Sequence, residues 1–243
     1  NRDDLHALRQ IADESVLQVH AVEARQAHLL GAESTLRWIA AWQAHGDEAF
    51  RVALPAYRLR VRNGGDERPL MVDGEGLGEL SGSTAMERYA VPAEVARVVH
   101  IIGQDAPSAM RGWVWFRLPV ASDRLGWAPA TLAFAMRGDM PYAQIELQAI
   151  QRGEGLFDLF LHNADQIDGL SPKAIALPTD CSVVEGIGEF MADAMATRLH
   201  TPQALWLAPD QRVAIGYARC AQPLAERSDL SHSSQALVEP MTR

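Results

Sequence analysis

RGWVWFRLP, from Arg111 to Pro119, is the stretch on which the reading of the fold turns. Two tryptophans and a phenylalanine sit around Arg117, two residues before the proline that ends the run. A short, almost continuously apolar segment reads as a strand buried on both faces, the habit of parallel sheets flanked by helices. Side chains alternate along a strand, so Trp113, Trp115 and Arg117 share one face and Val114, Phe116 and Leu118 the other. The wholly apolar set is expected against helices. That turns the Trp/Arg set inward, with Arg117 nearest the C-terminal end.

Outward from this strand, helical and strand-like patterns alternate. DDLHALRQIA (3–12) spaces Leu5, Leu8 and Ala12 as a helix, with Asp3 and Asp4 in the first turn, where the helix dipole favours anions. ESVLQVHAVE (14–23) is short and β-branched, a strand around Val16 to His20. GAESTLRWIAAWQAHG (31–46) reads as a helix stopped by Gly46, and AFRVALPAYRLRV (49–61) as a strand interrupted at Pro55. VPAEVARVVHIIG (91–103) has Pro92 at a first-turn position and Val95, Val98, Val99 and Ile102 on one face. SDRLGWAPATLAFAMRG (122–138) is a further helix. Such alternation predicts parallel β/α units, here the last three strands of a (β/α)8-like, TIM-type barrel over residues 1–140. The stretch 58–88 breaks the pattern: RLRVR alternates into Asn63-Gly64, a hairpin signal, so a β-hairpin insertion is expected there.

Beyond Pro141 short strands follow one another at regular spacing, which predicts a small β-sandwich-like domain over 141–222. Residues 223–243 are polar without periodicity and read as a disordered tail. Cys181 and Cys220 both fall in the β-domain. They are a disulfide pair if the protein is exported and two buried thiols if it is cytosolic. Neither belongs to a C-x-x-C pair, so no metal site is expected, and no cofactor motif appears: DGEGLGE (73–79) lacks the Lys-Ser/Thr of a phosphate loop. A net charge of −9 with no Lys/Arg run argues against nucleic acid, and no apolar stretch reaches the length of a membrane helix.

Parity places Gln18 and His20 together at the end of the first strand, Tyr57 at the end of the second and Arg117 at the end of the third. A barrel keeps its sites at that rim. His20, Tyr57 and Arg117 are therefore candidate substrate-binding residues, joined by Trp115 as an aromatic platform and by Glu23 and Asp123 as carboxylates just past strand ends. Each has a structural alternative. Arg117 can pair with a carboxylate to brace the rim, His20 can bond Gln18, Tyr57 can pack on the insertion, and Asp123 can sit in the first turn of a helix.

VLQVH, RVALPAY and VWFRLP with the following Asp-Arg resemble the C-terminal half of an uncharacterised exported bacterial family, the domain-of-unknown-function family 3142, from about Asp13 to Cys220. The resemblance implies export to the periplasm or beyond, a longer protein whose upstream part holds the earlier barrel strands, and no defined activity. VLQVH, ALPAY with its insertion and GWVWF are also similar in order to the last three strand ends of chitinase-like glycoside hydrolases, without the acidic motif of those enzymes. Two functions are expected from these signals. One is a carbohydrate-active or carbohydrate-binding protein, glycoside hydrolase-like if it is an enzyme, with catalytic residues unassigned in this stretch. The other is a non-catalytic exported scaffold that uses the β-domain as an interaction module.

Overall fold

The computed structural model describes residues 8, 11–20, 28–63, 69–74, 86–120, 123–139, 142–224 and 227–230. The chain divides into two compact units, Asn1–Pro141 and Tyr142–Arg243.

In the first unit the elements run β1 (Ser15–Gln18), α1 (Ala32–Gln43), β2 (Phe50–Pro55), β3 (Arg58–Asn63), β4 (Pro69–Asp73), β5 (Met86–Tyr89), α2 (Pro92–Gln104), β6 (Met110–Phe116) and α3 (Pro129–Met136). Strands β1, β2 and β6 pair in parallel in that spatial order, with β2 in the middle. This corrects the expected barrel. Among the described residues the sheet has three strands and is open, the helices are three and short, and most regular structure is strand in small sheets. The physical reason is closure. A barrel has no edges, whereas β1 and β6 each pair on one side only.

The expected parity of β6 is also reversed. Trp113 is the register partner of Val52 and Trp115 of Leu54, and both partners are 0% exposed. The tryptophans, each half-buried, therefore share the covered face with the fully buried Phe50, Val52 and Leu54. Phe116, assigned from sequence to the helix side, lies on the other face and is 51% exposed. An apolar set and a Trp-rich set compete for the same interior, and the pair of indoles carries the larger apolar area.

Helix α1 buries Ala32, Thr35 and Ile39; α2 buries Val95, Ala96, Val98, Val99 and Ile102; α3 buries Thr131, Leu132 and Ala135. Pro92 and Pro129 open α2 and α3 at positions where a missing N–H costs nothing. The insertion is a three-stranded antiparallel sheet, β4-β3-β5, because Met86–Tyr89 returns to pair with β3 as well.

The second unit comprises β7 (Ile145–Gly153), β8 (Leu156–Asn163), β9 (Gly169–Leu170), β10 (Ala174–Ala176), β11 (Cys181–Gly186), β12 (Met191–Ala192), β13 (Arg198–His200), β14 (Trp206–Leu207), β15 (Arg212–Cys220) and β16 (Arg227–Asp229). Its main sheet is antiparallel in the order β11-β15-β8-β7-β16, with two smaller sheets, β10-β13-β12 and β14-β9. Ile145, Leu147, Ala149, Phe157, Leu159, Leu161, Ile215 and Ala218 join Leu199 and Leu207 of the smaller sheets in one core. The opposite face of the main sheet carries Glu146, Gln148, Asp158, Phe160, His162, Arg212 and Tyr217. Between β7 and β8 the turn is Glu154–Gly155, and Gly155 has φ +66°, a conformation that costs glycine little. A Cβ there would also lie 2.8 Å from the Cys220 carbonyl oxygen.

Cys181 and Cys220, register partners across β11 and β15, are joined by a disulfide that closes a separation of 39 residues. In the chain-entropy description such a loop contributes about 4 kcal/mol. We expect the Cys181→Ser/Cys220→Ser double variant to unfold at markedly lower denaturant than the oxidised chain. Oxidised and reduced wild type should differ by a similar margin. Equal midpoints for all forms in equilibrium denaturation would show that the cross-link adds nothing.

Candidate functional site

Three rings meet at the C-terminal ends of the parallel strands. His20 follows β1, Tyr57 follows β2, and Phe116 ends β6. The His20 and Tyr57 centroids are 5.8 Å apart, edge to face; His20 and Phe116 stack at 6.3 Å; Tyr57 and Phe116 meet edge to face at 5.6 Å. Tyr57 is buried, His20 half-buried and Phe116 half-exposed, so the cluster shows one open ring to solvent. Edge-to-face pairs of this kind add about 0.5–1.5 kcal/mol beyond area burial and hold the rings in place.

The polar atoms are positioned by the strands beneath. The Gln18 and His20 side chains approach to 3.3 Å (Nε2 to Nε2), as their spacing of two along a strand allows. Burial lowers the His20 pKa from its ordinary value, against a smaller raising effect from the Ala53 backbone. The imidazole is therefore neutral at pH 7. Burial raises the Tyr57 phenol, partly offset by the nearby charge of Arg117. Both groups can donate or accept hydrogen bonds without carrying charge.

Arg117 does not face the opening as a free cation. Its Nε and Nη2 donate to the two carboxylate oxygens of Asp123, each at 2.6 Å. The Asp123 side chain is 3% exposed and its Oδ1 also accepts from the Leu125 amide at 3.0 Å and the Gly126 amide at 2.8 Å. Burial by itself would raise this carboxyl. The bonds from Arg117, Leu125 and Gly126, with the Arg117 charge, outweigh that and hold it below the usual aspartate range. Gly126 leaves the necessary room, since a Cβ there would stand 2.6 Å from Asp123 Oδ2.

The loop held this way is stitched to the β2–β3 junction. The Trp127 amide donates to the Ala56 carbonyl at 3.1 Å, the Arg58 amide to the Leu125 carbonyl at 2.7 Å, and Arg58 Nη2 to the Arg124 carbonyl at 2.7 Å. Arg58 Nη1 meanwhile reaches Glu87 of β5.

Of the residues singled out from sequence, His20 and Tyr57 come together, and Arg117 and Asp123 form a pair beside them. Trp115 is half-buried on the covered face with Leu54 and takes no part in the ring cluster. Glu23 lies outside the described residues. Sequence reasoning missed Phe116 as a site residue. Its signal was available: it precedes Arg117 at the strand's end and alternates opposite to the tryptophans. Among the described residues no group of three or more His, Cys, Asp or Glu is arranged to hold a metal ion.

Removing one member of a buried, bidentate pair costs about 3 kcal/mol, the lower end of the range, because Arg117 keeps 28% exposure. A depressed carboxyl stabilises the fold fully above its unfolded pKa of about 3.9, and that stabilisation is lost as pH falls through the lower folded value. We therefore expect Asp123→Asn to lower stability at pH 7 by about 3 kcal/mol. The gap from wild type should close as pH is taken from about 5 towards 2. Chemical denaturation across that range tests both; a pH-independent gap would remove ionisation of Asp123 as the cause.

Residues 1–121 match the family described as Domain of unknown function (DUF3142), and residues 146–221 match that described as Domain of unknown function (DUF8456). No curated protein matches the chain. Among solved structures, a chitinase from Bacillus thuringiensis is 7% identical with a TM-score of 0.35, over 93% of this chain and 63% of its own. A multi-modular cell-surface chitinase from Paenibacillus is 10% identical with a TM-score of 0.35, over 86% of this chain and 27% of its own. A family GH18 chitinase from Chromobacterium violaceum is 8% identical with a TM-score of 0.26, over 90% and 54%. The chain thus spans less than two thirds of these proteins, and scores of this size do not establish a common fold. No described helix is long and apolar enough to cross a membrane.

Proposed function

We propose that the chain acts outside the reducing cytosol as a carbohydrate-binding protein. The ring cluster at the C-terminal ends of β1, β2 and β6 is its contact surface. The observation that carries this reading is the half-exposed Phe116 ring, held by Tyr57 and His20. An aromatic ring held by a stacked His20 and an edge-to-face Tyr57 offers its remaining surface to the C–H face of a sugar at little entropic cost. His20, neutral by burial, and the exposed Gln18 amide lie on the same side and supply uncharged hydrogen-bonding groups for hydroxyls. Export is part of the reading because a disulfide such as Cys181–Cys220 persists in oxidising compartments.

Binding is favoured over hydrolysis by the state of Asp123. A general acid needs a carboxyl whose pKa is raised towards the working pH, and glycoside hydrolysis needs two carboxyls facing one bond. Asp123 is held ionised and fully occupied by Arg117 and two amides. That makes it a positioning residue for the loop beside Tyr57.

Phe116→Ala should reduce retention of the full chain on insoluble chitin, cellulose or xylan by about tenfold, while Phe116→Trp retains it. Ring stacking of this size corresponds to about 1.4 kcal/mol per tenfold. Equal retention of wild type and Phe116→Ala in a pull-down series would remove the ring cluster from the function.

A further inference from the structure

We infer that Glu87, on the inserted sheet, is a positioning residue for the ring cluster and acts on it through Arg58. The inference rests on the reading of that cluster as the sugar-contact surface. Its starting point is the junction of β2 and β3, where Ala56 and Tyr57 lead into Arg58. This junction is bonded to three separate segments. The Ala56 amide donates to the Phe116 carbonyl, at the end of β6, at 2.7 Å. The Ala56 carbonyl accepts from Trp127, and the Arg58 amide donates to the Leu125 carbonyl, both in the loop before α3. The Tyr57 carbonyl accepts from the Ala90 amide, one residue past β5, at 3.1 Å.

Arg58 is where the loop and the insertion meet. It bonds two adjacent carbonyls of the loop, Leu125 through its amide and Arg124 through Nη2, each at 2.7 Å. Its Nη1 donates to both oxygens of Glu87, at 3.1 and 3.4 Å. The Arg58 side chain is 14% exposed and that of Glu87 28%, so these charge-assisted bonds form where salt screens them little. A guanidinium holds its donors in one rigid plane. Fixing Nη1 on Glu87 therefore fixes the direction of Nη2, and with it the place of the Arg124 carbonyl. The loop is clamped by two arginines: Arg117 holds the Asp123 carboxylate and Arg58 the two carbonyls that follow. Gly126 of the same loop is the bridge partner of Tyr57. Loosening the Arg58 side of the clamp lets the loop and Tyr57 shift together, and the Tyr57 contacts with His20 and Phe116 change with them.

A second arginine separates this role from a general bracing of the insertion. Glu87 Oε1 also lies 3.5 Å from Arg60 Nε, two residues further along β3. If Glu87 only steadies the inserted sheet, losing the Arg60 bond matters as much as losing the Arg58 bond. If Glu87 positions the loop, only the Arg58 bond counts.

The test is amide hydrogen exchange on the full chain, read residue by residue by NMR at Arg58 and Trp127. The Phe50 amide, bonded to Ala109 at the start of β2, is the internal reference. Wild type is compared with Glu87→Gln, Arg58→Lys and Arg60→Gln, and all are pulled down on the insoluble polysaccharides beside Phe116→Ala. Thermal melts confirm that each variant is folded. Lysine keeps a charge for Glu87 but lacks the fork that also reaches Arg124, so Arg58→Lys tests the same route should Glu87→Gln not fold. Losing one charge-assisted hydrogen bond is expected to speed exchange at Arg58 and Trp127 about tenfold in Glu87→Gln and Arg58→Lys. Phe50 and the Arg60→Gln variant keep wild-type exchange, and retention falls in the same two variants. Unchanged exchange in Glu87→Gln, or an equal rise in Arg60→Gln, overturns the inference. Retention that responds to Phe116→Ala but not to Glu87→Gln overturns it too and leaves the ring cluster standing. Wild type that is not retained removes the ring-cluster reading and this inference with it.

Discussion

The Arg117–Asp123 pair is the constraint on which the site end of the first unit depends. β6 ends immediately before Arg117, and the chain must then turn back towards α3. Asp123 accepts four hydrogen bonds, two from the strand's own arginine and two from backbone amides of the loop. One buried carboxylate therefore ends the strand, shapes the turn and satisfies donors that the turn would leave orphaned. The loop in turn reaches Ala56 and Arg58, so the placement of Tyr57 between them follows from a charge pair some sixty residues later. The arginine that looked like a binding group from sequence is a structural brace whose effect on the site is indirect.

Some of this was readable in residue order and some was not. The three parallel strands were visible as short apolar runs separated by helical patterns, and they pair in parallel as β1-β2-β6. The barrel expected from that alternation is not formed among the described residues, because closure depends on partners for β1 and β6 that no pattern within those strands encodes. The two faces of β6 were assigned the wrong way round. Alternation says which residues go together but leaves the choice of side to the neighbours, and Val52 and Leu54 decide it. The insertion was legible as the β3–β4 hairpin, whereas the return of β5 to β3 is a long-range pairing without a local signal. In the second unit, strands of nine and eight residues such as β7 and β8 announce themselves. Two-residue strands such as β9, β12 and β14 have no periodicity to read.

Among the described residues the candidate site follows from incomplete coverage of a sheet. In the first unit an open sheet face ends in aromatic rings.

The order of strands in the main β-sheet also sets the order in which it can form. β7 and β8 are joined by the two-residue Glu154–Gly155 turn, and this hairpin closes on the scale of about 1–10 μs. β15 pairs with β8 only after the intervening chain, including β9 to β14, has been looped out, and that closure entropy must be met before any of the pairing is gained. β11, at the outer edge, has β15 as its only partner in that sheet among the described residues and must follow it. During synthesis the hairpin can therefore close before β15 leaves the ribosome, and its apolar face must at first do without β15. The small strands emitted in the interval, with Ile175, Leu199 and Leu207 of the shared core, are the first available to shield it.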